Sequence, residues 1–478
     1  MFKNAKIIAF FTLISRILGY IRDVLIASHF GVSIYTDMFF IAFRIPNTLR
    51  RFLGEGAINS SVVPVLSRID EDKKPLAVWN IIFVFGFVLL MVSVLGVVFS
   101  KVLVAIFAGG YLKSGYFPLM NNMVKLTFPY IFFIGLTVLF MGILNTYKHF
   151  AIPSFAPALL NISLIGFVYF SYKFSNPIYA LCVGVIIGGL LQLAISLFDF
   201  TLLKIPFRFS LKIENSTKQM FSLMGITALG SGVMQISSMV DSFVASFLAP
   251  GSFSYIFYAN RLFQLPFAVF SIALSQSSLP DLSSLRRDQL TKAVALLLRF
   301  VVFISVAVEM YFLFFSRELV DLLFKHGRFS GPAASNTSLT LKIMILGFLF
   351  FSVAKILSNA FYSFEDAKTP LRASIISSSV AIVASVAFGF WLGFVGLAIS
   401  MSLSGLANAV VLWFYANRSI GRLRVIDVID RLSVFEFVVL LLLSFAFSRI
   451  AFGFLFVLVF YAGFALYGFK YYSAFESK

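Results

Sequence analysis

Several short stretches place charged side chains inside segments that are otherwise apolar. The first holds Ser15, Arg16, Gly19, Arg22 and Asp23, and the second holds Asp37, Arg44, Arg50, Arg51 and Glu55. Further along, Asp241 and Arg261 stand in similar surroundings, Arg261 just ahead of Pro266. On a helix, seven-residue spacing sets Ser15 over Arg22 and Arg16 over Asp23 on neighbouring stripes. An arginine near the centre of a bilayer costs at least about 2.5 kcal/mol, so it must face a protein interior or a wet cavity. Such an excess of guanidinium groups calls for an anionic ligand. Phosphate suits them best, because the planar donor fork engages two oxygens at once. A structural arrangement competes with this: Arg22 and Asp23 as an ion pair, Arg16 reaching for the interface, and Arg50 and Arg51 at the headgroups. Arg51 and Glu55, four apart, suit a local pair.

Other chemistries lack their parts. His29, His149 and His326 fall near separate loops, so no metal-ligand spacing exists. The phosphate-binding Gly-x4-Gly-Lys-Ser/Thr loop is absent, and no Ser/His or paired-carboxylate set stands within the apolar segments. Arg299, Glu309, Lys342 and Lys355 read as mainly structural charges, able to pair with one another. Gly109-Gly110 and Gly188-Gly189 read as packing or turn residues, and Lys325-His326-Gly327-Arg328 as an external turn. Pro266 predicts a bend, since a proline loosens a membrane helix.

The elements that must position these residues follow from composition. Of 478 residues, 60% are hydrophobic and only 12% charged, with mean hydropathy +0.97, too few polar side chains to cover a soluble core. One cysteine, Cys182, excludes a disulfide scaffold. A net charge of +18 on so apolar a chain does not describe a nucleic-acid binder, which needs a polar basic surface. The chain reads as an all-α polytopic membrane protein. Long continuous apolar runs disfavour a barrel. Fourteen runs are predicted, at 5–28, 35–58, 78–108, 118–147, 153–173, 177–203, 218–249, 253–280, 291–316, 334–364, 369–391, 394–417, 433–449 and 452–472. The first is read as a retained helix rather than a signal peptide, because Arg16, Arg22 and Asp23 interrupt it. With fourteen spans, the side holding both termini collects 21 Lys and Arg against 7 on the other, which places both termini in the cytoplasm.

The chain also repeats itself at an offset of about 217 residues. Asp23-x3-Ala27-Ser28 recurs as Asp241-x3-Ala245-Ser246, and Ala42-x-Arg44 as Ala259-x-Arg261. Ala57-x3-Ser61-x2-Pro64-x-Leu66-Ser67 recurs as Ala273-x3-Ser277-x2-Pro280-x-Leu282-Ser283, and Pro153-x2-Ala156 as Pro370-x2-Ala373. Six runs fill the offset, an even number, so both copies enter the membrane in the same direction. Parallel repeats of this kind are a transporter architecture with the substrate site between the halves. The expected divisions are an N-terminal six-helix lobe (1–217), a C-terminal six-helix lobe (218–430) and an additional two-helix hairpin (431–478).

The run Ser15-Arg16-Ile17-Leu18-Gly19-Tyr20-Ile21-Arg22-Asp23 resembles the MurJ/MviN family of lipid-linked peptidoglycan precursor flippases. So do Thr36 through Phe43, Pro46-Asn47-Thr48-Leu49-Arg50-Arg51, Gly54-Glu55-Gly56-Ala57 and Val63-Pro64. Tyr258-Ala259-Asn260-Arg261, Leu265-Pro266 and Ala367-Lys368-Thr369-Pro370 add weaker support. The resemblance implies a V-shaped pair of lobes around a cationic cavity, with the last two helices adding a groove for a lipid tail. It implies an alternating-access flippase, not an enzyme, that moves lipid II to the outer leaflet of the bacterial cytoplasmic membrane. Arg16, Arg22, Asp23, Arg50 and Arg261 match substrate-binding positions, the arginines holding the pyrophosphate; Ser15, Asp37, Glu55 and Asp241 match supporting ones. No cofactor is implied, nor any nucleic-acid partner; lipid II, the bilayer and cell-wall synthesis proteins are the implied partners. Some members carry an Asn and an Asp on the helix after the Lys-Thr-Pro turn, in a sodium site with the Asp of the seventh helix. Here those positions read Ala381 and Ser385 beside Asp241, which weighs against sodium at that site and leaves membrane potential or another monovalent cation as the drive. A flippase for another undecaprenyl-pyrophosphate glycan, a cation-coupled drug exporter, a membrane scaffold and a lipid-modifying enzyme are the alternatives. An exporter of organic cations would line its cavity with carboxylates instead of arginines.

Overall fold

The structure, a computed structural model, describes residues 2–54, 57–210, 212–421, 423, 431–447, 453–455, 457, 459–461 and 463. Among them every regular element is helical. Packing divides the chain into two compact units. The first, Met1–Gly251 with Gly327–Phe329, contains α1 (Phe2–Phe30), α2 (Ile34–Gly54), α3 (Ala57–Ser67), α4 (Lys74–Val98), α5 (Ser100–Phe107), α6 (Phe117–Thr127), α7 (Tyr130–Thr146), α8 (Ala151–Tyr169), α9 (Tyr179–Leu202) and α10 (Asn215–Ala245). The second, Ser252–His326 with Ser330–Lys478, contains α11 (Ser252–Pro266), α12 (Ala273–Ser284), α13 (Arg287–Phe324), α14 (Gly331–Ile345), α15 (Phe348–Ser363), α16 (Lys368–Leu392), α17 (Phe394–Ser419) and α18 (Arg431–Phe447).

Each predicted apolar run up to 433–449 coincides with a helix or a broken helix pair, while 452–472 falls largely outside the described residues. Among the described residues, eight helical stretches are long and apolar enough to cross a bilayer. The α14–α15 pair, bent by 42°, makes a ninth as one broken span. Fourteen is therefore an approximate count; α1 and α2, which carry the buried Arg22, Asp23 and Asp37, and α10 lie outside that set.

The repeat is visible in where helices break. Pro129, which has no amide to give the ladder, separates α6 from α7; Gly347, at the repeat offset, separates α14 from α15. In the second break, the Glu309 carboxylate of α13 accepts the Leu349 amide at 2.9 Å. It thus serves an N–H that the interrupted helix leaves without a carbonyl. The bend expected at Pro266 is a π-type turn over Phe267–Ile272 that joins α11 to α12.

In the first unit α1 packs on α8, α8 on α9, α9 on α7, and α7 on α3 and α4. Val62, Ile81, Phe85, Leu139 and Ile143 form its core. Helix α10, which opens the second sequence copy, packs against α2, α3, α4 and α5 of this unit. Sequence repeat and packing unit are therefore different divisions of the chain. In the second unit α16 pairs with α17, α15 packs on α13 and α17, and α18 lies against α13. Leu298, Leu357, Phe361 and Leu412 form one core, and Tyr311, Phe315, Leu440 and Tyr461 another.

Candidate functional site

Helix α1 carries the most developed polar cluster. Arg22 and Asp23 are both buried, with Arg22 7% and Asp23 2% exposed. Arg22 donates to Asp23 Oδ1 from Nε at 2.8 Å and from Nη2 at 2.6 Å. Its Nη1 donates to Asn161 Oδ1 on α8 at 2.9 Å, and Asn161 Nδ2 donates back to the Ser15 carbonyl at 3.0 Å. Asn161 lies over Gly19, where a Cβ would sit in ordinary contact with its Nδ2 at 3.4 Å. Three of the five guanidinium N–H groups are thereby accounted for, leaving one on each terminal nitrogen. Two further donors are what a bidentate anion requires. Arg16 lies on an exposed face of the same helix and Ser15 is half-buried. The ion pair present is Arg22–Asp23, the pair that the structural arrangement in the sequence analysis offered.

Arg50 on α2 is half-buried and donates from Nε to Asn47 Oδ1 at 2.8 Å. Arg50 and Arg22 both act electrostatically on the Tyr130 hydroxyl of α7, which donates to Gln192 Oε1 of α9 at 3.3 Å. Arg22, Asp23, Arg50, Asn161, Tyr130 and Gln192 thus form one polar region drawn from five helices of the first unit.

Arg44 does something different. Its Nη1 donates to the Ser238 carbonyl and to Ser242 Oγ of α10, both at 3.0 Å, and its charge interacts with Asp241 on the same helix. Asp37, 2% exposed, accepts the Gly251 amide at 2.6 Å and is an anchor for the turn after α10. Nearby, the Arg328 amide donates to the Ser28 carbonyl at 2.7 Å. Gly31 and Gly327, both at left-handed φ (66° and 57°), let these backbones meet without a Cβ between them. Arg261 stands in the second unit, on α11, with its guanidinium 4.8 Å from the Phe257 ring centroid. Glu55 lies outside the described residues.

Ala381 and Ser385 are both buried in α16, and Ser385 Oγ donates to Ser400 Oγ of α17 at 2.8 Å. Among the described residues no three His, Cys, Asp or Glu side chains gather in a way that could hold a metal ion. Sequence reasoning missed Asn161, Tyr130, Gln192 and Asn47. Their signal was a polar side chain placed where an apolar helix face needs none.

The chain matches the family model described as "Lipid II flippase MurJ" over residues 26–471. A relative from Vibrio cholerae, described as a probable lipid II flippase MurJ, is 33% identical over 439 residues, covering 86% of this chain and 82% of the relative. A Burkholderia cenocepacia relative described as lipid II flippase MurJ is 33% identical over 430 residues, covering 86% and 83%. Among solved structures, a lipid II flippase MurJ in an inward closed conformation superposes with a TM-score of 0.83 at 26% identity, over 98% of this chain and 99% of that one. An inward-facing multidrug transporter of the MATE family shares the fold with a TM-score of 0.67 at 14% identity, over 87% and 98%.

Proposed function

The chain belongs to the MurJ family of lipid II flippases, and on that basis we propose that it moves lipid II across the bacterial cytoplasmic membrane by alternating access. One observation carries the site assignment: a guanidinium buried in an apolar unit is fastened on three N–H groups and keeps one on each terminal nitrogen. A pyrophosphate is the lipid-borne group whose paired oxygens and charge fit those two donors. Asp23 and Asn161 orient the fork, and Asp23 offsets its charge when no substrate is present. Arg16 and Arg50 add cationic character on α1 and α2, and Arg261 does so from α11. Both termini face the cytoplasm, following the excess of Lys and Arg on that side.

Asp241 has the positive charge of Arg44 as neighbour, so a sodium ion there is superfluous and membrane potential is the simpler drive. One charge moved through 100 mV is worth about 2.3 kcal/mol, enough to bias two states. Purified protein in vesicles containing fluorescent lipid II tests the activity. Transfer to the outer leaflet with no added nucleotide is expected, and binding of lipid II without transfer overturns the reading. Lipid II transferred faster than undecaprenyl-pyrophosphate carrying other glycans separates this function from a sibling flippase.

A further inference from the structure

Away from the polar cluster, the outer face of the first unit carries an apolar groove of about 430 Å³. Trp79, Phe83, Gly86 and Leu90 of α4 form one wall, and Leu136 of α7 and Leu197 of α9 form others. Eleven residues separate Trp79 from Leu90, a rise of roughly 16 Å along the helix. That is about half the hydrocarbon thickness of a bilayer, or one leaflet. Gly86 keeps the floor open, since a Cβ there would meet only Leu136 Cδ2 at 3.5 Å.

The Trp79 end of the groove meets the non-helical connector between α9 and α10. Trp79 Nε1 donates to the Pro206 carbonyl at 3.1 Å. Asn80 Nδ2 donates to the Ser210 and Lys212 carbonyls, and Asn80 Oδ1 accepts the Glu214 amide and the Thr217 hydroxyl. The side chain of Asn80 uses all its hydrogen-bonding capacity to hold this segment against α4. Phe207 lies edge-on to Trp79 with centroids 4.9 Å apart, and Phe209 edge-on to Phe83 at 5.4 Å, yet both remain more than half exposed. The same connector carries Arg208, whose Nη1 donates to the Asp72 carbonyl of the turn ahead of α4 at 3.3 Å, and Lys212, whose carbonyl Asn80 holds. Both cations are exposed, as is Lys204. A fixed basic rim therefore caps an apolar channel one leaflet deep, at the level where tryptophan marks a membrane interface.

We propose that groove and connector form a site for one anionic glycerophospholipid of the leaflet on that side. An acyl chain lies along Trp79, Phe83, Gly86 and Leu90, and the headgroup phosphate rests against Arg208 and Lys212. The site is independent of the transported substrate. A zwitterionic lipid would fill the groove without using the rim, and free phosphate would use the rim without the groove.

The chain has three tryptophans. In full-length protein carrying Trp391→Phe and Trp413→Phe, brominated acyl chains added in detergent micelles report on Trp79 by quenching. Each cation near an anionic headgroup strengthens binding about fivefold, so saturable quenching by brominated phosphatidylglycerol is expected at concentrations at least about tenfold below those for brominated phosphatidylcholine. Arg208→Gln with Lys212→Gln, both on the exposed rim, should bring the two lipids to within about twofold. Gly86→Leu should weaken quenching by both. Equal quenching by the two lipids in the parent protein overturns the proposal. So does a phosphatidylglycerol preference that survives in the double variant, or displacement of the lipid by millimolar inorganic phosphate.

Discussion

Arg22 is the residue on which the binding assignment can be broken cleanly. Replacing it with alanine removes three hydrogen bonds of 2.6 to 2.9 Å, two of them from the carboxylate of Asp23, which is only 2% exposed. Removing one partner of a buried pair costs about 3–5 kcal/mol, mostly through the charge left behind. Loss of flipping in Arg22→Ala alone would therefore follow equally from a failed binding site and from a damaged fold. The double variant Arg22→Ala/Asp23→Asn removes the opposite charge together with the guanidinium, so its deficit shrinks to lost hydrogen bonding, about 1–3 kcal/mol. Thermal midpoints in detergent should fall in the order parent, double, single. Flipping should not follow that order. A charge-assisted hydrogen bond is worth about 1.5–3 kcal/mol, so losing the two further donors lowers lipid II transfer at least about tenfold in both variants. Arg22→Lys should be impaired as well, because a compact ammonium cannot span Asp23 and Asn161 while presenting two donors outward. Lipid II flipping in vesicles at equal protein density is the assay. A double variant that regains both thermal stability and full transfer would show the pair to be structural and refute the reasoning.

The counter-charge of Arg44 beside Asp241 predicts transfer rates within about twofold when sodium is replaced by potassium at fixed membrane potential; a tenfold dependence on sodium would count against it. At the α14–α15 break, Glu309→Leu leaves the Leu349 amide without its acceptor and should cost about 1–3 kcal/mol in chemical denaturation, while Glu309→Gln, which keeps an acceptor, should cost much less. Equal losses for the two would remove the capping role. Asp366, in the turn ahead of α16, accepts the Lys368 and Thr369 amides and the Thr369 hydroxyl. Partial burial raises its pKa, but the hydrogen bonds from Thr369 and Lys368 and the charge of Arg372 outweigh it, leaving the carboxyl below its usual value. Its contribution is therefore complete above the unfolded value near 3.9 and is lost as pH falls through the lower folded value. Asp366→Ala should cost about 0.5–2 kcal/mol at pH 7, with the difference from the parent shrinking in acid; a constant difference down to pH 2 would exclude the ionised cap.

Apolar run length was enough to read the helices, because in lipid each backbone polar group needs a partner within its own segment. The breaks were less legible. Pro266 announced the π-type turn that follows it, but Gly347 did not announce the α14–α15 bend, which depends on a carboxylate from α13. In the site, Arg22 and Asp23 stood out as charges in an apolar run. Asn161, which holds Arg22 from 139 positions away, did not, because one amide in α8 has no periodic signature. Asp37 was grouped with the arginines by proximity in sequence, whereas its hydrogen bond goes to Gly251, far away in the chain. Spacing along one helix reports which side chains share a face; which helix lies opposite is decided by packing.

The duplicated sequence makes that distinction concrete. Asp23 and Asp241 are equivalent by the repeat, as are Arg44 and Arg261, but Arg22 corresponds to Val240. The second copy therefore carries the carboxylate without its adjacent guanidinium. Asp241 is not thereby left as an uncompensated charge, because α10 packs into the first unit and meets Arg44, a residue of the first copy. The two Arg44 bonds to Ser238 and Ser242 fasten the same stretch of α10. The second copy has no guanidinium beside its carboxylate, and the charge there is met instead by where a single helix packs. Arg261, equivalent to Arg44, lies over the Phe257 ring in the second unit. Equivalent positions in the two copies consequently have different electrostatic tasks, and a transporter whose halves read alike in sequence need not bind its anion symmetrically.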